Sequence, residues 1–156
     1  MRHGKAEARG KRLLDKEREL TDKGREKVEA AVRGLRSVNV RSGKTYVWSS
    51  PLPRALATAQ IVAGTVSGGE VNVKEAIATG DFDSLAREWA GFGVKDTLII
   101  VGHEPYLSLW SARLANVMVS FKPAAAACFT IRNRLPPEGR LRWFMEASVM
   151  AQLEAE

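Results

Sequence analysis

The chain has 156 residues, 45% hydrophobic and 27% charged. That balance is ordinary for a globular protein with one core, and a single domain over residues 1–156 is expected. No run of 18 or more apolar residues occurs and the first 20 residues are charged throughout, which excludes a membrane span or a secretory signal among the expected features. The lone Cys128 sits in "AAAACFTI" as a core residue, and the expected setting is a reducing cytoplasm.

Net charge is +6 with a pI near 9.8, which raises nucleic acid as a partner. The excess is local. Residues 1–45 hold 14 Lys and Arg against 7 Asp and Glu, whereas the remainder hold 10 against 11. Much of it is interleaved with acids, as in "KRLLDKERELTDKGREK", and no aromatic residues accompany it. A solvated mixed-charge surface, or one facing a phosphate-bearing partner, accounts for this better than a dedicated nucleic-acid face.

In chain order, Thr21 is placed as a helix cap, and Val28, Ala31, Val32 and Leu35 keep a helical period behind it. "TYVWSS" (45–50) reads as a strand ending in Ser50-Pro51, a cap with proline at the first helical position. Leu52, Ala55, Leu56, Ala59, Val62, Ala63 and Val66 then mark a four-turn helix stopped at Ser67-Gly68-Gly69. "EVNVKEA" alternates like a strand, and Asp81 or Asp83 starts a short helix carrying Phe82, Leu85 and Trp89. "DTLIIVG" (96–102) is a continuous apolar run, as in a strand buried on both faces. Pro105 opens a helix with Leu107, Trp110 and Leu114 on one side. "CFTIRN" and "RLRWFM", joined by "RLPPEG", read as a closing strand pair, and the last ten residues as a short helix. Alternating strands and helices predict an α/β three-layer sandwich on a mostly parallel sheet, with ligands at the carboxyl ends of the strands.

Three segments are expected at such a position: Arg2-His3-Gly4, the stretch from Ser49 to Arg54, and Gly102-His103-Glu104-Pro105. The chain has only two histidines and both fall there, each beside a glycine. A lone histidine is ordinarily a surface or core residue; two of two at strand ends point to phosphoryl chemistry. Arginine offers a planar donor fork for phosphate oxygens, and helix N-termini add backbone N–H groups. A neutral imidazole can attack phosphorus, and a second, protonated one can hold the oxygens as charge develops. Gly4 would let the backbone approach the phosphate.

"RHG", "SSPLPRALATA" and "VGHEPYLS" resemble the signature of the histidine phosphatase superfamily, with its phosphoglycerate-mutase-like fold. "DKERELTDKG" (15–24) is similar to the D-x-x-R-x-L-T-x-x-G stretch of its small SixA-type phosphohistidine phosphatase branch. The resemblance implies His3 as nucleophile, Arg2, Arg54 and His103 lining a phosphate pocket, Thr58 at the family's threonine position, and a hydrolase that needs no cofactor or metal. About 36 residues separate Ser67 from His103, too few for the helical lid of larger members, so an open site is expected.

The expected substrate is a phosphohistidine on a protein. A small phosphomonoester, or a phosphate-binding member with impaired catalysis, stays open as an alternative; a nucleic-acid or membrane partner is not expected. Imidazole leaves with a pKa near ~6.5 and needs little help, whereas an alcohol needs a general acid. Only Glu104 and Glu75 are candidates for that acid. Members of the family precede R-H-G with a central apolar strand, and here Met1 alone stands before it. A truncated first strand is therefore expected to expose unpaired backbone and to loosen the catalytic loop. Residues outside this sequence, another segment in the slot, or a short strand that suffices are the three readings it allows.

Overall fold

The computed structural model describes residues 1–10, 14–38 and 42–153. Lys11 and Arg12 of the basic run, and residues 154–156 of the helix expected at the C-terminus, therefore lie outside the described residues.

Helix α1 spans Asp22–Val38, and Thr21 caps it as expected, its hydroxyl accepting from Gly24 N at 3.0 Å. Val28, Ala31, Val32 and Leu35 are buried, and the fully buried valines each contribute about 1.5–3 kcal/mol to folding. Strand β1 (Thr45–Ser49) leads to helix α2 (Pro53–Val66). Pro53, rather than Pro51, stands at the first helical position. The expected strand at 70–76 shrinks to β2 (Asn72–Val73), because helix α3 (Glu75–Thr79) takes over its second half. Helix α4 (Phe82–Trp89) starts at Asp81, whose side chain accepts from Ser84 N. Strand β3 (Thr97–Val101) and helix α5 (Tyr106–Ala115) follow, then the antiparallel pair β4 (Ala126–Arg134) and β5 (Pro137–Met145), and helix α6 (Ala147–Gln152).

The strands form two sheets. Three are parallel in the order β2-β1-β3, with Thr45 to Ser49 in register with Thr97 to Val101; the other sheet is β4-β5. What joins them is Met1–His3, which bonds to Gly102 on one side and to Ala124 and Ala125 on the other. No other described segment fills the space between β3 and β4. Apolar clusters cover both faces: α1, α2 and α6 on one, and α4 and α5 on the other. This is the α/β sandwich expected from the sequence, with its centre bridged, among the described residues, by Met1–His3. Among the described residues no helix is long and apolar enough to cross a membrane.

Candidate active site

The three junctions stand side by side at the carboxyl ends of the strands. Ser50 N donates to Val101 O at 3.2 Å, joining the end of β1 to that of β3. Gly102 N donates to Met1 O at 3.0 Å and His3 N to Gly102 O at 3.1 Å, joining β3 to the Arg2-His3 stub. The loops that carry both histidines are thus neighbours. Their rings lie 5.1 Å apart between centroids, tilted by 55°, and each residue is only 7% exposed.

His3 is held in one tautomer. Its Nδ1 lies 2.7 Å from Gly4 O, an acceptor only, so Nδ1 carries the proton and Nε2 keeps its lone pair. Burial, with help from His103, Arg54 and Arg2, lowers its pKa to about 3. The ring is neutral across the physiological range. Burial and the two arginines likewise lower His103 to about 4. In the free protein burial therefore favours the neutral form of both rings, whereas the sequence reading had the second one protonated. Its Nε2 is 2.7 Å from Ser50 Oγ, and Ser50 Oγ accepts from Leu52 N at 3.2 Å. The serine read as a helix cap is thus the rest on which His103 sits.

The arginines are anchored at one end and open at the other. Arg2 Nη1 donates to Phe121 O at 2.7 Å. Arg54, 5% exposed, donates from Nη1 to Asp15 O at 2.7 Å and from Nη2 to Asp15 Oδ2 at 3.1 Å. Burial lowers the pKa of both, which as guanidinium groups stay charged. Among the described residues, Arg2 Nε, Arg54 Nε and His103 Nδ1 are buried nitrogens without a partner. Such atoms are costly unless something is to bind them.

The surrounding residues explain the rest of the motif. Arg18 and Arg9 share Asp15 with Arg54, and Arg18 holds the carboxyl first, so that its pKa falls to about 2. Asp15 and Arg18 were not singled out from sequence, although both stand in the quoted 15–24 stretch. Thr21 N donates to Lys5 O at 3.0 Å, and a Cβ on Gly24 would stand 2.2 Å from that same oxygen. Only glycine lets α1 lie against the loop after His3. Gly4 has a similar reason: a Cβ there would meet Val28 Cγ2 at 2.5 Å, so packing against α1 requires it. Thr58 is fully buried behind the loop, accepting from Gly4 N at 3.0 Å and donating to Arg54 O at 2.8 Å. It ties the two junctions together.

The candidate acids are not aimed at the pair. Glu104 accepts from the backbone N–H of Ser108 at 3.2 Å and from its hydroxyl, although its charge is felt by Arg2. Glu75 is exposed in the first turn of α3, with no described contact to either histidine.

A family model described as the histidine phosphatase superfamily (branch 1) matches residues 1–91. No curated protein matches. Among solved structures, the histidine phosphatase SixA complexed with tungstate is similar with a TM-score of 0.76 and 21% identity over 96% of each chain. A candidate phosphohistidine phosphatase SixA from Agrobacterium tumefaciens scores 0.73 at 19% identity, over 93% of this chain and 94% of that one. A mycobacterial glucosyl-3-phosphoglycerate phosphatase with inorganic phosphate scores 0.68 at 18%, over 94% and 95%. At these identities the likeness is one of fold. The family model covers more than half of the 156 residues, and the chain belongs to the histidine phosphatase superfamily.

Proposed function

We propose that this protein is a phosphatase working through a phosphorylated His3, and that its substrate is a phosphohistidine displayed on another protein. One observation carries the reading: the buried, unpartnered nitrogens of Arg2, Arg54 and His103 around a neutral His3 whose Nε2 holds a lone pair. A phosphoryl group would satisfy all three. Nε2 of His3 attacks phosphorus, the bond to the leaving imidazole breaks, and that imidazole takes a proton from solvent. Arg2 and Arg54 balance the charge on the equatorial oxygens, and His103 donates from Nδ1. Water then attacks phospho-His3, restoring His3 and releasing inorganic phosphate. No step calls on a metal ion.

The substrate class follows from the leaving group. Glu104 is committed to Ser108 and Glu75 faces solvent, so neither stands ready to protonate an alcohol. An imidazole, with a pKa near ~6.5, leaves without that help. Structures similar in fold include a protein histidine phosphatase as well as a phosphatase of a small phosphoester.

The test compares turnover of a phosphohistidine protein with that of p-nitrophenyl phosphate and sugar phosphates. Turnover of the first, with an acid-labile label on the enzyme that His3→Ala abolishes, is the expected result. Preference for a small ester would move the reading to a phosphomonoesterase. Tungstate binding without label or turnover would leave a binding protein only.

A further inference from the structure

His103 has one anchored nitrogen and one idle one. Its Nε2 lies 2.7 Å from Ser50 Oγ, while Nδ1 is buried and, among the described residues, has no partner. Counting protons decides which way the anchoring bond runs. A serine hydroxyl has one proton and two lone pairs, and a neutral imidazole has one N–H and one lone pair. Ser50 Oγ already uses one lone pair on Leu52 N. Ser50 is fully buried, and among the described residues its hydroxyl has no acceptor other than His103 Nε2. If Nε2 carried the proton, the serine proton would be left in the core without an acceptor, and such a group is costly. The neutral pair is satisfied only when Ser50 donates, Nε2 accepts and Nδ1 carries the proton of the ring.

We infer that Ser50 is a positioning residue, whose hydroxyl donates to His103 Nε2 and so keeps the single ring proton on Nδ1, free for the phosphoryl oxygens. The inference deepens the phosphatase reading and rests on it for what occupies the pocket. Both partners sit on strand ends that are themselves tied. Ser50 N donates to Val101 O at 3.2 Å, Ser49 Oγ donates to Ser50 O at 2.8 Å, and Leu107 N donates to His103 O at 3.0 Å. The two histidines thus share one tautomer for opposite tasks. At His3 a carbonyl, Gly4 O, accepts from Nδ1 and leaves the lone pair of Nε2 for attack. At His103 a hydroxyl donates to Nε2 and leaves the proton of Nδ1 for the anion. The other tautomer would present a lone pair there, which repels an oxyanion. A second proton on His103 meets the same obstacle, since it would have to enter at Nε2 and turn the serine proton into a space without an acceptor. The charges acting on the ring are those of Arg54, Arg2 and Asp15. The arginines therefore meet the charge of the anion, and His103 adds a neutral hydrogen bond rather than an acid.

The full chain, labelled with 15N-histidine, is read by long-range proton–nitrogen correlation at pH 7. It has only two histidines, and His3→Gln tells their signals apart. In the unmodified protein both rings should carry the proton on Nδ1. Ser50→Ala, which removes one oxygen atom, should move the His103 proton to Nε2 and leave His3 as it is. Ser50→Thr, which keeps the hydroxyl, should hold it on Nδ1. Tungstate affinity should fall about tenfold in Ser50→Ala. Toward the phosphohistidine protein, kcat should fall by more than KM rises, because the bond from Nδ1 strengthens as charge develops. A proton on Nε2 of His103 in the unmodified protein overturns the inference, as does an unchanged His103 tautomer in Ser50→Ala. Tautomer and tungstate binding are read without turnover. A protein that shows both Ser50 effects yet hydrolyses nothing therefore keeps the role of Ser50 and loses the phosphatase reading.

Discussion

The two neutral histidines make the stability of this protein depend on pH in a defined window. In the unfolded chain each titrates near ~6.5, whereas in the native protein burial holds His3 at about 3 and His103 at about 4. Below pH 6.5 the unfolded state binds protons that the native state refuses, so acid favours unfolding. The contribution of these groups is whole above pH 6.5 and is lost as pH falls toward 4. At pH 5 each sits 1.5 units below its unfolded value, which costs ~2 kcal/mol per histidine, or ~4 kcal/mol for the pair. That is a large share of a typical stability of ~5–15 kcal/mol. The Met1 amine, lowered from 8.0 to about 5, acts in the same direction between pH 8 and 5. The Asp15 carboxyl acts below pH 4 and leaves this window untouched.

The measurement is urea unfolding at pH 7 and pH 5, in buffers free of phosphate, for the unmodified protein and for His3→Gln/His103→Gln. The unmodified protein should lose ~4 kcal/mol more than the variant over this interval. The Met1 share is common to both and cancels. An equal loss in the two proteins would refute the reasoning, since it would mean that the histidines are already protonated, or not buried, in the native state.

Two substitutions test the supports of the site. Asp15→Ala removes the carboxylate that holds Arg54 Nη2 while keeping the backbone acceptor for Nη1; kcat/KM should fall about tenfold, mostly through KM, in steady-state kinetics. Thr58→Val keeps the shape but leaves Gly4 N without an acceptor in the core. Denaturation should show a loss of about 1–3 kcal/mol, and kcat should fall by up to ~100-fold as the His3 loop shifts.

Much of the site was legible because its residues sit at strand ends, where local sequence carries the signal. A short β-rich run, then a small residue, then a capped helix marks such an end without any knowledge of tertiary contacts. Ser50 and Asp15 were less legible, since their roles lie across the fold: one is 53 residues from the histidine it touches, the other 39 from its arginine. Helix α3 was misread as strand because "VNVKEA" alternates over four residues before the helix begins, and a single turn leaves too little sequence to establish a 3.6 period. The packing of Gly4 against α1 was not legible, because nothing local announces that Val28 lies against it.

The short first strand separates two properties that sequence reasoning had joined. A truncated first strand was expected to loosen the catalytic loop as well as to expose backbone. Yet every residue from Met1 to Gly4 is bonded from the side. Met1 O accepts from Gly102 N, Arg2 N donates to Ala125 O, His3 N to Gly102 O, and Ala124 N to His3 O. Gly4 N is held by Thr58, and Gly4 O by the imidazole of His3 itself. The geometry of His3 therefore rests on strand ends and on α2, not on whatever lies ahead of Met1. Leu98 and Ile100 of β3 and Ala127 and Phe129 of β4 line a cavity, which bears on apolar burial rather than on the placement of His3.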